Sequence, residues 1–190
     1  MEKPRQLSEV PKKIALKIAM VAIFTAIGVV LSGLNPFAWI SISGVQPNPF
    51  AHLVNVIVGV YLGPIYAVLT ATFIAVIRFA VGWGSHYAFP GGIPGALLVG
   101  VFAYVIGKFN GKYRIYASLA EPLGTVFIGG TISSYMSISL SITQSEVYSY
   151  IPLVSMWTGF AISCVIGMII GLLILLVLEQ TSNITYLNFQ

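Results

Sequence analysis

Long apolar runs follow one another along this chain with few charges between them, and this pattern constrains the fold more than any other feature. Of the 190 residues, 57% are hydrophobic and only 7% are charged, whereas a soluble domain carries about 25% charged residues. So few charges cannot hydrate the surface of a soluble domain of this length. The sequence therefore predicts an all-α integral membrane protein whose surface faces lipid, with no second, soluble domain.

The apolar runs predict a bundle of six transmembrane helices, since about 20 residues cross the hydrocarbon core of a bilayer. The predicted helices are 14–34, 50–62, 64–81, 93–109, 115–137 and 152–178. Residues 1–13 are predicted to form a basic cytoplasmic segment, and residues 179–190 a C-terminal tail. We divide 50–81 into two helices because one helix would be about 48 Å long and Gly63-Pro64 would break it.

The basic residues set the predicted orientation, because Lys and Arg are retained on the cytoplasmic side of a membrane. Six spans with a cytoplasmic N-terminus place eight of the nine basic residues on that side, whereas five spans would put Lys108–Arg114 outside. These eight are Lys3, Arg5, Lys12, Lys13, Lys17, Lys108, Lys112 and Arg114. We therefore predict a multi-pass protein of the plasma membrane with both termini in the cytoplasm.

The three predicted outer connections, 35–49, 82–92 and 138–151, lack Lys and Arg but are rich in aromatic and polar residues. A belt of interfacial aromatic residues would account for part of this enrichment. The rest indicates that recognition takes place at the outer face. The sequence leaves open whether 35–49 forms a strand-like cap or an interfacial helix.

Two ionisable residues in the apolar segments need an explanation, because a membrane-buried charge costs about 2.5 kcal/mol or more. Arg78, near the outer end of the third helix, either extends to the outer headgroups or holds the 82–92 loop or a polar ligand group. Glu121 lies early in the fifth helix beside Pro122, nearer the inner face. We interpret it as a structural carboxylate favoured by the helix dipole, without assuming that it pairs with Arg78.

Several classes of function are excluded by what the sequence lacks. His52 and His86 have no cysteine or carboxylate at ligand spacing, so no metal site is expected. The sequence contains no metalloprotease signature and no phosphate-binding loop. We therefore predict that the chain is not an enzyme, does not hydrolyse ATP itself and does not need a cofactor. The basic residues cluster at helix ends rather than among aromatic residues, which argues against nucleic acid binding. The single cysteine, Cys164, excludes an intrachain disulfide.

The first helix carries alanines at helical spacing. They are Ala15, Ala19, Ala22 and Ala26. Small residues in such a ladder let a second helix approach closely within a membrane. Most patterns of this kind pack a bundle against itself, so the ladder alone is weak evidence for a partner.

Three blocks of sequence resemble one family. The run Arg78–Gly91 (RFAVGWGSHYAFPG) is similar to the second outer loop of the ThiW branch of the S components, the substrate-binding subunits of energy-coupling factor (ECF) transporters. Glu121–Thr125 (EPLGT) resembles the fifth-helix motif of that branch. Pro49, His52, Asn55 and Gly63-Pro64 fit its second helix. The resemblance extends over most of 14–178 and implies the six-helix S-component fold.

The resemblance implies uptake of the thiazole half of thiamine, hydroxyethylthiazole, from outside the cell. A membrane T component, which the alanine ladder would face, and two ATPase subunits would then be partners. Alternative substrates are hydroxymethylpyrimidine, thiamine or another small vitamin. A membrane assembly protein without transport activity is a less favoured alternative, and an intramembrane enzyme is the least favoured.

A small neutral heteroaromatic substrate requires aromatic walls and a few fixed hydrogen-bond partners. Trp39, Trp83, Tyr87, Phe89 and Trp157 are the candidate walls, and Gln46, Asn48, Asn55, Ser85 and His86 the candidate polar contacts. Arg78 is a further candidate, but a phosphorylated ligand would need more than one cation. The pocket is expected under 35–49 and 82–92, with helices four to six as its floor and Gly82, Gly84, Gly91 and Gly92 free to adopt positive φ.

Overall fold

The computed structural model describes residues 9–38, 40, 45–143 and 151–181. Its regular elements are helical. They are α1 (Glu9–Gly33), α2 (Pro49–Leu62), α3 (Pro64–Ala80), α4 (Ala88–Phe109), a 3-10 helix (Gly111–Ala120), a π-helix (Leu123–Gly129), α5 (Gly130–Thr143) and α6 (Leu153–Thr181). The 3-10 helix, the π-helix and α5 follow one another directly and form the fifth helical segment.

Four of the helical segments are long and apolar enough to cross a membrane, namely Lys12–Gly33, Ala88–Phe109, Gly111–Ser141 and Leu153–Thr181. The remaining two, α2 with 14 residues and α3 with 17, are shorter apolar helices. At 1.5 Å per residue, α2 is about 21 Å long, less than the thickness of the hydrocarbon core. The chain is therefore an all-helical, multi-pass membrane protein.

The short helix α2 lies at the centre of the bundle, where it packs against α1, α3, α4, α6 and the 3-10 helix. Nearly its whole length is buried, from His52 to Leu62. Glycines on the neighbouring helices allow this close packing. A Cβ atom on Gly167 would lie 2.8 Å from the His52 Cβ, and one on Gly171 would lie 2.9 Å from Val56. Packing between small residues replaces the hydrophobic drive that is missing in lipid.

Gly63 separates α2 from α3 and has a φ of 87°, a left-handed conformation that glycine adopts at little cost. Its N–H donates to the carbonyl groups of Val58 and Gly59, which closes α2, and Pro64 begins α3. Proline suits this first helical position because it has no N–H to satisfy there. The chain reverses direction here within one residue.

The connection between α3 and α4 is shorter than the predicted segment 82–92, because α4 begins at Ala88. Gly82 adopts a φ of 75° in this connection. Gly84, Gly91 and Gly92, for which the sequence also allowed a positive φ, are not among the positive-φ glycines of the structure. Gly91 and Gly92 lie inside α4, and a Cβ on Gly91 would lie 3.0 Å from the Phe160 ring. Gly91 therefore allows helix packing rather than a turn.

The distribution of polar and apolar side chains is the reverse of that in a soluble protein. Large apolar side chains such as Ile23, Phe73 and Leu173 are exposed, at 57%, 48% and 57%. Ser118, Thr125 and several other polar side chains are buried. An apolar exterior is what a lipid environment requires. All four residues of the alanine ladder lie on this exterior, exposed on α1.

The described Lys and Arg side chains other than Arg78 gather at one end of the bundle, where α1 and α3 begin and α4 ends. Lys17 lies over the ring of Tyr66, in the first turn of α3, with Nζ 5.3 Å from the ring centroid. Lys108, in the last turn of α4, lies 4.4 Å over the Tyr104 ring. We call this the basic end. The cavity described below lies at the opposite end.

Candidate functional site

A cavity of about 60 Å³ lies where α2 begins, α3 ends and α4 begins, with α6 closing one side. This volume accommodates a few water-sized molecules. Its lining residues are Val45, Gln46, Asn48, Ala51, His52, Arg78, Gly84, Ser85, Tyr87, Ala88, Gly91, Gly92, Phe160 and Ser163. The lining combines polar groups with two aromatic rings, those of Tyr87 and Phe160, as binding sites for small molecules commonly do.

Asn48 joins three parts of the cavity wall at the start of α2. Its backbone N–H donates to the Ser163 hydroxyl of α6 at 2.8 Å. Its side-chain amide contacts the Ser32 hydroxyl of α1 at 2.8 Å and lies 2.9–3.1 Å from all three guanidinium nitrogens of Arg78. We orient the amide oxygen toward Arg78, because an NH₂ group there would face only donors.

Arg78 is a buried cation in this wall, with 9% of its surface exposed. Its Nη2 donates to the Trp83 carbonyl at 3.3 Å, so the side chain holds the connection between α3 and α4. The structure thus agrees with the expectation that Arg78 holds the 82–92 loop, rather than extending to the outer headgroups. Within the described ranges, no carboxylate forms an ion pair with this guanidinium. Arg78 therefore brings to the cavity a positive charge that no described carboxylate contacts directly.

Removing the Arg78 guanidinium is expected to loosen the connection that it holds. In Arg78→Met, the Trp83 carbonyl loses a charged donor, a contact worth about 1.5–3 kcal/mol. Amide hydrogen exchange across 82–87 should then become faster by about tenfold or more. Lys108→Met, which removes an exposed cation at the basic end, should leave exchange at 82–87 unchanged. Equal exchange in the two variants would contradict the assigned role of Arg78.

His52 and Glu121 form a buried pair next to the cavity. The His52 Nδ1 lies 2.6 Å from the Glu121 Oε1, and the Thr125 hydroxyl donates to the same oxygen at 2.8 Å. Glu121 is completely buried, whereas the His52 side chain retains 8% exposure and lines the cavity. A Cβ on Gly95 would lie 2.7 Å from this carboxylate, so α4 packs directly against the pair.

The structure changes the explanation of Glu121. The fifth helical segment begins at Gly111, so Glu121 lies ten residues inside it rather than in its first turn. The helix dipole acts only within the first and last turns and does not stabilise this carboxylate. Its Oε1 instead accepts from the Thr125 hydroxyl and contacts the His52 ring nitrogen Nδ1. Glu121 and Arg78 do not pair, in keeping with the interpretation of the sequence.

The predicted ligand residues are brought only partly together. Gln46, Asn48, Arg78, Ser85 and Tyr87 line the cavity. Asn55 lies close by, and its amide donates to the Gly92 carbonyl at 3.0 Å, which ties α2 to the start of α4. Trp39 lies outside the described residues.

The other predicted aromatic residues pack elsewhere. Trp83 is 51% exposed, and its ring lies against Gly33 at the end of α1. The rings of His86 and Phe89 pack against Phe79, with centroid distances of 5.5 and 6.1 Å. Trp157 donates from its indole to Thr131 at 3.2 Å and packs edge-on against Phe127. Contact between these four side chains and a ligand stays a prediction.

Sequence reasoning missed His52, Phe160 and Ser163 as lining residues. His52 had a detectable signal, because a histidine and a glutamate within apolar helices must each find a polar partner. Phe160 and Ser163 lie in an apolar helix where nothing in the sequence distinguishes lining from packing residues. In the part of the chain that the structure describes, no three His, Cys, Asp or Glu residues cluster as a metal site would require.

Comparison with known proteins adds one match to this geometry. The model of the family ThiW, described as thiamine-precursor transporter protein, matches residues 18–181. The match includes the cavity, the His52–Glu121 pair and the exposed face of α1. No curated protein and no solved structure matches the chain.

Proposed function

The chain belongs to the ThiW family of thiamine-precursor transporters, and from this premise we propose that it is the substrate-binding S component of an ECF transporter. Its substrate is the thiazole precursor of thiamine, hydroxyethylthiazole, captured at the outer face. The observation that carries the proposal is the cavity at the end of the bundle opposite the basic residues. Lys and Arg mark the cytoplasmic side, so this cavity opens toward the outside.

The chemistry of the cavity supports a small neutral substrate. Tyr87 and Phe160 offer aromatic surface, while Asn48, Ser85 and Arg78 offer hydrogen-bond donors. A phosphorylated substrate would require further cations, and among the lining residues only Arg78 carries a permanent positive charge. A heteroaromatic ring with polar substituents matches this combination of apolar and polar groups.

Thermal unfolding of the purified protein in detergent tests the proposal directly. A ligand that binds only the folded state adds RT ln(1 + [L]/Kd) to the stability, about 2.7 kcal/mol at a hundredfold excess over Kd. Hydroxyethylthiazole should produce such a stabilisation. Ser85→Trp, which fills the cavity mouth, should abolish it, whereas Asn110→Trp at the basic end should retain it. Stabilisation by hydroxymethylpyrimidine or thiamine alone would correct the substrate, and stabilisation by none of the three would overturn the proposal.

The proposal includes six membrane spans, with both termini and the connection at Asn110 in the cytoplasm. Single cysteines at two exposed positions, Ser85 and Asn110, test it in a Cys164→Ala background. An impermeant thiol reagent should label Ser85→Cys in intact cells, and Asn110→Cys only after permeabilisation. The reverse pattern would contradict the orientation, and labelling of both in intact cells would contradict the span count.

We also propose that the exposed alanines of α1 face a T component that is coupled to two ATPase subunits. Ala22 and Ala26 line an apolar groove of about 530 Å³ between α1 and α3. Such small residues let a partner helix approach closely. Ala22→Trp should therefore reduce uptake in cells at least tenfold, with unchanged ligand affinity in the isolated subunit. Leu173→Trp on the exposed face of α6 serves as the control. Loss of affinity in Ala22→Trp would show that the ladder supports the subunit's own fold.

A further inference from the structure

The geometry of the His52–Glu121 pair indicates which ring nitrogen of His52 carries a proton. Glu121 Oε1 accepts from the Thr125 hydroxyl at 2.8 Å and lies 2.6 Å from His52 Nδ1. We assign this oxygen as the acceptor from both neighbours. His52 Nδ1 therefore carries a proton and donates it to Glu121. A carboxylate in this position commonly fixes the tautomer of its histidine.

Nε2 is then the ring nitrogen that His52 can offer to a molecule in the cavity. Among the described residues, the hydrogen bond of His52 to Glu121 through Nδ1 is its only one. His52 belongs to the cavity lining, and its side chain is not completely closed off. A group seated in the cavity thus meets the side of the ring that Glu121 does not occupy.

Nδ1 faces Glu121, so the chemistry available to the cavity depends on the second ring nitrogen. Nε2 of a neutral ring protonated at Nδ1 is a hydrogen-bond acceptor. The cavity therefore has donors at Arg78 and an acceptor at His52.

We propose that His52 Nε2 accepts a hydrogen bond from a hydroxyl group of the substrate, and that Glu121 is the positioning residue that holds the ring with Nδ1 as its donor. The substrate class is then a neutral heteroaromatic alcohol whose hydroxyl donates to His52. This inference rests on the proposed function and specifies how the same cavity selects its ligand. A related molecule without the hydroxyl leaves the buried acceptor unpaired, which lowers its affinity.

Calorimetric titration with matched pairs of compounds tests the inference on the purified full chain. The first pair is 5-(2-hydroxyethyl)-4-methylthiazole and its 5-ethyl analogue. The second is 4-amino-5-hydroxymethyl-2-methylpyrimidine and its 5-methyl analogue. The quantity of interest is the ratio of affinities within a pair. The protein should prefer the alcohol by about tenfold or more, as expected when a buried acceptor loses its donor.

Two substitutions at His52 separate the roles of its two nitrogens. Asparagine places its amide near the position of Nδ1 and can still donate to Glu121, but it offers nothing near Nε2. Glutamine reaches the position of Nε2 and offers an oxygen acceptor there. His52→Asn should therefore bring the affinity ratio close to one, while His52→Gln should retain a preference for the alcohol. A purely structural role of His52 would change both affinities of a pair equally and leave the ratio unchanged.

The outcomes distinguish this inference from the proposed function. A preference for the alcohol that persists in His52→Asn would overturn the assignment of His52. Equal affinity of the unmodified protein for alcohol and analogue would do the same, and in both cases the transport proposal would stand. An unmodified protein that binds none of the four compounds would overturn the proposed substrate class and this inference together.

Discussion

His52→Leu is expected to lower the free energy of unfolding by about 3 kcal/mol, because it leaves the buried Glu121 carboxyl group without the hydrogen-bond donor at His52 Nδ1. Glu121 is completely buried, and after the substitution its Oε1 retains the Thr125 hydroxyl as a donor. The carboxyl group must then either stay charged in a low-dielectric interior or take up a proton. Unfolding of the purified protein in mixed detergent micelles measures the loss.

The double variant His52→Leu/Glu121→Leu is the matched control. Replacement of both partners by apolar groups removes the unpaired polar group, and such replacements in other proteins can be nearly neutral or even stabilising. The double variant should therefore be more stable than His52→Leu by about 1 kcal/mol or more. The stability losses of His52→Leu and Glu121→Leu should not simply add in the double variant. If they did, the two side chains would not interact as their 2.6 Å distance indicates.

Gly124→Ala is the second substitution with a large expected effect. A Cβ atom at this position would lie 2.4 Å from the Pro94 carbonyl oxygen and 2.6 Å from the Gly95 backbone nitrogen. Because these are backbone atoms of α4, no side-chain rotation relieves the clash, and the helices must separate. Overpacking of this kind costs about 3 kcal/mol.

The same unfolding measurement checks this expectation, with Gly111→Ala as its control. A Cβ on Gly111 would have no neighbour within 4 Å, so this variant should unfold like the unmodified protein. Unchanged stability of Gly124→Ala would show that α4 and the π-helical part of the fifth segment are farther apart than these distances indicate.

The coarse architecture could be predicted from the sequence because a lipid environment requires apolar surfaces and helices long enough to span it. A scarcity of charge and long apolar runs are sufficient to indicate a multi-pass helical membrane protein, and the ThiW family match agrees with the resemblance found in three blocks. Gly63-Pro64 marks the boundary between α2 and α3 because each residue has a backbone preference of its own. Such signals are local and can be recognised without knowledge of packing.

The residues that line the cavity were harder to predict, because a residue becomes part of the lining through contacts between segments that are distant in the sequence. Asn48 and Arg78 have polar side chains in apolar surroundings, and both lie in the lining. Trp157 is equally conspicuous in the sequence, yet its ring packs on Phe127. Tryptophan is common both in packed interiors and at membrane interfaces, so its presence does not indicate which surface it contacts.

The 3-10 helix at Gly111–Ala120 has a consequence for the length of the protein along the membrane normal. A 3-10 helix rises about 2.0 Å per residue, against 1.5 Å for an α-helix. Its ten residues thus extend about 5 Å further than an α-helix of the same sequence length would. Substitutions that convert the stretch to an α-helix would shorten this side of the bundle and draw Glu121 away from His52. The spacing between the basic end and the cavity is therefore encoded in a backbone conformation as well as in the number of residues.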